Sequence, residues 1–570
     1  MGIWVGISKV FYIAKARVVS FAQILLSWVI VAFGVPAWSP VLSLMASLLG
    51  YALFWSVFQK ISGKKQRAVC ACLWFMGVQA IQLSWMTATA YHGFYIILVY
   101  LGILVWFGVQ FGCFTALFPQ SLEELSLRRC LFLASFWVLM EWSRLFFLCG
   151  FPFNFCGVVL AAFAVPSQLA AFTGVLGLSF IVIFCNLLAL RVVVTPRKMA
   201  WYFYLGTVVG LYVFGSMHWG IHRLRQKVDN RVLNAALVQT GLRPEEKVPL
   251  RDKESRFVSP FLQWYDILNE LEKTGQRKFD LIVLPEAAVP FGATQCIYPL
   301  EEVNRIFLHK WGQNYRAYLP LSESSFLQEG LVSNSFWAQS LANYYGAQVV
   351  VGFDDYDKDR GESYNAAFYF APYAKASQRY EKCILVPLGE YLPFSWLKTL
   401  VAKYGVVDFA TPGVGAKVFG EKTPIATSVC YEECFGHFMR QGRKKGAQLF
   451  VNITNDGWYL PSKLPEQHFY HARLRSIENG VPLVRACNTG VTAAVDSLNT
   501  VCGRLNRGTL AKGVLTVSLP LYHYRTPYSF YGDYFIVGIC CSFIGVYVLR
   551  QRPWGIKLKM SRKLSLVKKK

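Results

Sequence analysis

Charge is what this sequence has little of. Asp, Glu, Lys and Arg make up 16% of its 570 residues, where a soluble protein averages about 25%. The shortfall is uneven, which excludes a single soluble globule. Residues 1–219 are mostly long apolar runs, 220–527 have the mixed texture of a soluble enzyme, and 528–549 are apolar again. A disulfide framework is also missing. Of 15 cysteines, nine lie in or beside apolar runs, and Cys296, Cys383, Cys430, Cys434, Cys487 and Cys502 have no regular spacing and no CxxC pair. His468 and His471 have no HExxH or Cys/His set around them to hold zinc. Neither a metal nor a cofactor is expected. The first apolar run, Val18 to Val35, lacks a clear small-residue cleavage site, so it reads as a retained helix rather than a signal peptide.

The apolar runs are long enough to matter. Crossing a bilayer takes about 20 apolar residues in a helix. Eight stretches qualify: 18–37, 40–58, 68–88, 95–118, 131–148, 167–190, 200–217 and 528–549. The net charge of +25 sits between and after them. Lys9, Lys15 and Arg17, then Lys60, Lys64, Lys65 and Arg67, then Arg128 and Arg129, then Arg191, Arg197 and Lys198 fall on one side. The short loops 38–39, 89–94 and 149–166 on the other side have no Lys or Arg. The tail after Leu549 has nine basic residues and no acid. This is the charge pattern of membrane orientation, not of a nucleic-acid surface. It predicts both termini in the cytoplasm and, after seven helices, a domain at 220–527 outside it. The expected organisation is a helical bundle (1–219), an extracytoplasmic catalytic domain (220–527), a last membrane helix (528–549) and a basic cytoplasmic tail (550–570).

Within 220–527, short β-branched and apolar runs alternate with amphipathic stretches. Strands are expected at Val232–Gln239, Asp280–Leu284, Ala347–Phe353, Asn365–Phe370, Ile425–Cys430, Leu449–Asn455, Leu483–Asn488 and Thr492–Ser497. Helices are expected at Pro260–Thr274 and Glu466–Asn479. Such alternation argues a layered α/β domain.

Three segments carry chemistry. Glu286 directly follows an apolar strand, where a site can form. Lys382 precedes an apolar run and Glu390 follows it. Cys430 ends a strand and opens an expected helix, whose dipole would lower the thiol pKa and whose N–H groups would face an oxyanion. Taken singly, each has a plain structural reading: a buried thiol, a solvated lysine, a turn. Together they point to a cysteine nucleophile with acid and base partners.

The order of these segments resembles the Glu-Lys-Cys triad of the nitrilase superfamily. The stretches Pro285–Pro290, Lys382–Pro393 and Cys430–Glu432, followed by Asn455-Asp456-Gly457-Trp458, are most similar to the membrane-embedded branch, the bacterial apolipoprotein N-acyltransferases. Further matches are Gln467-His468-Phe469, Ala472-Arg473, Arg485, Asn488, Gly490 and Thr492, with Glu141–Arg144 and Gly150-Phe151-Pro152 in the bundle. One departure is Val248, where the family often has tryptophan. The resemblance implies an α/β/β/α sandwich joined to a polytopic bundle of about eight helices in a bacterial inner membrane. It implies transfer of an acyl chain from a phospholipid, typically phosphatidylethanolamine, through a thioester on Cys430. The acceptor is the α-amine of an apolipoprotein's N-terminal diacylglyceryl-cysteine. Glu286 acts as base, and Lys382 with the Tyr431 N–H holds the oxyanion. Glu390 orients Lys382 or is a surface turn; Glu432 tunes the site or caps the helix after Cys430. The apolar stretch 391–410 reads as a bilayer-touching lid or as core, and Glu141 with Arg144, three apart, as a pair on one helix face. The competing expectation is a membrane-tethered amidase hydrolysing a carbon–nitrogen bond. It would use the same triad but have no need of the bundle.

Overall fold

The computed structural model describes residues 20–61, 63–249, 254–321, 327–357, 359–392, 409–505, 508 and 510–551. Helices stand at all eight expected apolar stretches: α1 (Ser20–Ala32), α2 (Pro40–Lys60), α3 (Lys64–Gln82), α4 (Tyr95–Ala116), α5 (Leu127–Ser143), α6 (Pro166–Val194), α7 (Lys198–Asp229) and, at the far end, α13 (Asp533–Gln551). Among the described residues, five of these are long and apolar enough to cross a membrane: α2, α4, α6, α7 and α13. The protein is a membrane protein. Most of the basic tail lies outside the described residues, as does 393–408 of the expected lid.

Irregular backbone inside an apolar bundle needs internal partners. At the π-turn Ala46–Gly50 in α2, the Asn186 amide of α6 supplies them. It accepts from the N–H groups of Tyr51 and Ala52 and donates to the carbonyls of Ala46 and Ser47, all within 3.2 Å. A second break lies in α6 itself, at Gly174 with φ +65. A Cβ there would stand 2.4 Å from the Tyr528 ring. The Glu478 carboxylate, from the part of the chain after α7, receives the Val175 N–H at 2.8 Å and caps the resumed helix. Helix α7 does not stop near 217 but runs 32 residues to Asp229, about 48 Å. That exceeds the roughly 30 Å apolar core of a bilayer, and it delivers the chain straight to the first strand.

That strand is β1 (Val232–Gln239), followed by β2 (Leu281–Val283), β3 (Gln348–Asp357), β4 (Glu362–Phe370), β5 (Gln378–Glu381), β6 (Val418–Phe419), β7 (Ile425–Val429), β8 (Leu449–Thr454), β9 (Leu483–Cys487), β10 (Ala493–Val495), β11 (Val501–Arg504) and β12 (Gly513–Pro520). They form two six-stranded sheets, in the orders β12-β1-β2-β3-β4-β5 and β11-β10-β9-β8-β7-β6. Each has a parallel centre, β1-β2-β3 in one and β7-β8-β9 in the other, with antiparallel strands at both edges. Helices α8 (Pro260–Glu272), α9 (Leu300–Trp311) and α10 (Asn334–Tyr345) cover the first sheet; α11 (Gly436–Lys444) and α12 (Leu464–Asn479) cover the second.

Strand periodicity sorts the core. In β1, Ala236 and Val238 face the outer core under α8 and α10, whereas Leu233, Ala235 and Leu237 face the inter-sheet core. The inter-sheet core is continuous with that of the bundle: Val429, Phe450 and Leu474 belong to the same buried cluster as Trp137 and Leu176. Trp85 donates to the Gln467 side chain at 3.1 Å, and Gln467 donates to the Gln82 carbonyl at 2.7 Å. The second helix layer thus rests on the bundle, while the first sheet and its helices form the far side.

Candidate active site

Parallel strands aim their carboxyl ends at one place. Glu286 follows β2, Cys430 follows β7, Asp456 follows β8 and Asn488 follows β9. The turn at Glu286 passes so close to β3 that a Cβ on Gly352 would meet the Glu286 Cα at 2.7 Å. Only glycine fits there. The Glu286 carbonyl receives hydrogen bonds from Asn488 Nδ2 at 2.5 Å and from the buried Lys247 at 3.1 Å. Burial lowers Lys247 to about 7, against the raising effect of Glu286.

Lys382 lies just past the edge strand β5, not at the head of a strand. The apolar run after it is an irregular loop, with Leu388 at φ +66. That loop turns Glu390 back: its Oε2 receives the Val386 N–H at 2.8 Å and its Oε1 lies 2.8 Å from Lys382 Nζ. Lys382 Nζ is also 3.6 Å from Glu286 Oε1. The Asn365 amide bridges the two carboxylates, donating to Glu286 at 2.7 Å and to Glu390 at 3.0 Å. Burial alone would push Lys382 down, but Glu390 and then Glu286 overcome it and lift its pKa well above the ordinary value. Lys382 is an ammonium.

Cys430 is half-buried and has φ +52, outside the helical region. The expected helix is a five-residue 3-10 turn, Cys430–Cys434, and α11 begins only at Gly436. The expected dipole effect on the thiol is overruled. Burial and the Glu286 carboxylate raise its pKa well above the ordinary value, against the pull of Lys382. At rest Cys430 is a thiol, and ionising it would take a base.

Glu432 explains the local geometry. Its carboxylate receives N–H groups from Val429 at 2.7 Å, Cys383 at 2.6 Å and Ile384 at 3.0 Å, and the Tyr380 hydroxyl at 2.7 Å. It caps the turn and ties the cysteine loop to the lysine loop. Tyr431 donates to the Gly150 carbonyl of the bundle at 2.9 Å and stacks on Phe153. The Cys430 carbonyl receives Asn452 Nδ2 at 3.2 Å and lies 3.2 Å from His468 Nε2. Behind it a buried network joins Arg485 to Glu433 at 2.8 Å and to Asp456 at 3.1 Å, with His468 2.9 Å from Asp456.

Glu286, Lys382, Glu390, Cys430, Tyr431, Asp456 and His468 border a cavity of about 1430 Å³, larger than the roughly 300–1,000 Å³ of small-molecule pockets. Its other wall belongs to the bundle. Tyr95, Ile96, Val99, Ile103 and Trp106 of α4 line it, with Phe147, Leu148 and Phe151. Glu141 and Arg144 do not pair with each other. Helix α5 ends at Ser143; Glu141 receives the Trp137 and Cys156 N–H groups, and Arg144 donates to Gln110 and lies over Phe107.

Residues 34–188 match the family described as the apolipoprotein N-acyltransferase N-terminal domain, and residues 235–526 match the carbon-nitrogen hydrolase family. An apolipoprotein N-acyltransferase of Chlamydia pneumoniae is 33% identical over 91% of this chain and 96% of its own length. The chain belongs to the apolipoprotein N-acyltransferase family. Relatives of that name from Chlamydia trachomatis serovar D (32% identical, 92% of this chain and 96% of the relative) and Haemophilus ducreyi (26%, 91% and 95%) also span nearly the full length.

For an apolipoprotein N-acyltransferase, the sequence motifs converge on one cavity: Glu286, Lys382, Glu390, Cys430 and Tyr431 all line it, and Val248 takes its place in the wall. Glu432 stands behind them. Sequence reasoning missed Lys247, Asp354 and Asn365, which also line the cavity. Asn365 and Asp354 lie inside alternating strands, and Lys247 lies in a polar turn. No local signal marks any of the three.

Proposed function

We propose that this protein transfers an acyl chain from a membrane phospholipid, typically phosphatidylethanolamine, to the N-terminal diacylglyceryl-cysteine of apolipoproteins. Glu286 takes the Cys430 thiol proton as sulfur attacks the ester carbonyl. Lys382 and the Tyr431 N–H face the resulting oxyanion; one such donor is worth roughly 3 kcal/mol. The carbon–oxygen bond then breaks, and the departing lyso-phospholipid oxygen takes the proton from Glu286. In the second half, the acceptor amine gives a proton to Glu286 and attacks the thioester carbonyl. The carbon–sulfur bond breaks and the thiolate regains a proton. Glu390 and Asn365 hold Lys382 and Glu286 in register.

The observation that carries the reading is the shared cavity. A protonated cysteine beside a carboxylate and an ammonium opens onto an apolar face of α4, a membrane helix. An acyl chain lying along that face reaches the thiol without leaving an apolar surface, and the enclosure shields a thioester from water. The Lys/Arg asymmetry supports eight membrane crossings, both termini in the cytoplasm and the catalytic domain outside it. The setting is then a bacterial inner membrane.

The test is to incubate purified protein with radiolabelled phospholipid. A hydroxylamine-labile acyl adduct on Cys430 should form, persist in buffer for minutes, and discharge to a diacylglyceryl-cysteine peptide with a free α-amine. Rapid hydrolysis without acceleration by that peptide would leave the amidase reading.

A further inference from the structure

Asp354 is a carboxylate that the reaction above does not use. It lies in β3 directly opposite Asn365 of β4. Residues opposite each other in an antiparallel pair share a face, with Cβ atoms about 4.5–5.5 Å apart. Asn365 is the amide that holds both Glu286 and Glu390. Asp354 therefore stands beside the catalytic carboxylates, while its neighbour Phe353 points the other way into the outer core.

Its surface is exposed, yet exposed to the cavity, and the surrounding protein shields it from bulk water. Among the described residues, its carboxylate has no hydrogen-bond or ion-pair partner. The nearby cations are engaged elsewhere: Lys382 with Glu390 at 2.8 Å, Lys247 with the Glu286 carbonyl and Asn488. The adjacent Asp355 has its own counter-charge, Arg379 at 2.5 Å. Among the described residues, Glu286, Asp354 and Glu390 in this part of the wall face Lys247 and Lys382, one more acidic than basic group. Shielding and the Glu286 carboxylate raise Asp354 to about 6, the cost expected of an unpaired acid in such a place.

We infer that Asp354 receives a primary ammonium entering the catalytic cavity. The inference rests on the acyl-transfer reading, in which such a group is carried by both an ethanolamine phospholipid and the acceptor's free N-terminus. An ammonium at Asp354 balances the wall and lies next to Glu286, the base that must take its proton before it can attack.

The experiment uses the full-length protein in lipid vesicles and the isosteric Asp354→Asn, with Asp354→Glu as the charge-retaining control. Three rates are measured: acyl-enzyme formation from phosphatidylethanolamine, formation from phosphatidylglycerol, which has no ammonium, and discharge by a free-amine diacylglyceryl-cysteine peptide. Asp354→Asn should slow an amine-dependent rate by about tenfold or more while loading from phosphatidylglycerol holds. Slower phosphatidylethanolamine loading assigns the headgroup; slower discharge assigns the acceptor. Asp354→Glu should recover part of the loss. Three unchanged rates, or an equal fall with phosphatidylglycerol, would overturn the inference while wild-type loading still supported acyl transfer. A wild type that loads from no phospholipid would overturn that reading and this inference with it.

Discussion

The large cavity has two walls of opposite make. One is built from strand ends, and its polar groups are held by neighbours: Lys382 by Glu390, Glu286 by Asn365, the cysteine loop by Glu432 and His468. The other is built mainly from the apolar side chains of α4, with Phe147, Leu148 and Phe151 beside them. Tyr95, Val99, Ile103 and Trp106 recur three or four residues apart, so they share one face of α4. From first to last they span about 17 Å. The polar wall works by position, where fractions of an ångström matter. The apolar wall works by area, which tolerates small changes. Substitutions should fail steeply on the first and gradually on the second.

The largest effect belongs to Cys430, the proposed nucleophile. Cys430→Ala should abolish both the acyl adduct and transfer, read by label retention and product formation; surviving transfer would move the nucleophile elsewhere. Next is a change that touches no reacting group. Gly352→Ala places a Cβ against the Glu286 backbone, and a displacement near 1 Å costs on the order of 100-fold in rate. Single-turnover loading should fall by that order while thermal unfolding shows the fold kept. A full-speed Gly352→Ala would show that the polar wall is less exacting than its geometry implies.

Ile103→Asp tests the other wall. A carboxylate on the apolar face should slow loading from a long-chain phospholipid by about tenfold, with a smaller effect on a short water-soluble ester. Equal losses with both would remove the distinction between the walls. The smallest effect is a slope. Burial raises Glu432 to about 7 from the ordinary 4.5, so the folded state binds its proton more tightly than the unfolded state. Its contribution is fully present below about pH 4.5 and is lost as pH rises through about 7. Glu432→Gln cannot titrate. Its stability should vary less across that window, by on the order of 1–3 kcal/mol, in denaturant unfolding followed against pH. Matching slopes in variant and wild type would contradict this.

What could be read from the chain beforehand divides along the same line. Glu286 and Cys430 follow apolar strands, so punctuation in the sequence marks them, and the helices of the bundle announce themselves by composition. Asn365 could not be seen, because its meaning lies in facing two carboxylates brought from elsewhere. The backbone of Cys430 was misjudged for the same reason. Its turn is set by Glu432 reaching Cys383 and Ile384, about fifty positions away, and local propensity cannot anticipate that. The pairing of Glu141 with Arg144 failed at a helix end, where spacing along a helix ceases to predict neighbours. The edge strand β12 went unread. Its partner β1 lies far back in the chain, and no turn joins them to advertise the pairing.

The cap on α6 sets an order of events during synthesis. The upper part of that helix leaves the ribosome with its first N–H groups unsatisfied, and the carboxylate that completes it lies 303 positions further on. At about 5–20 residues per second, roughly 15–60 s separate the two. Through that interval the helix is in place but unfinished. The bundle reaches its final form only after the chain as far as Glu478 has been made and folded back onto it.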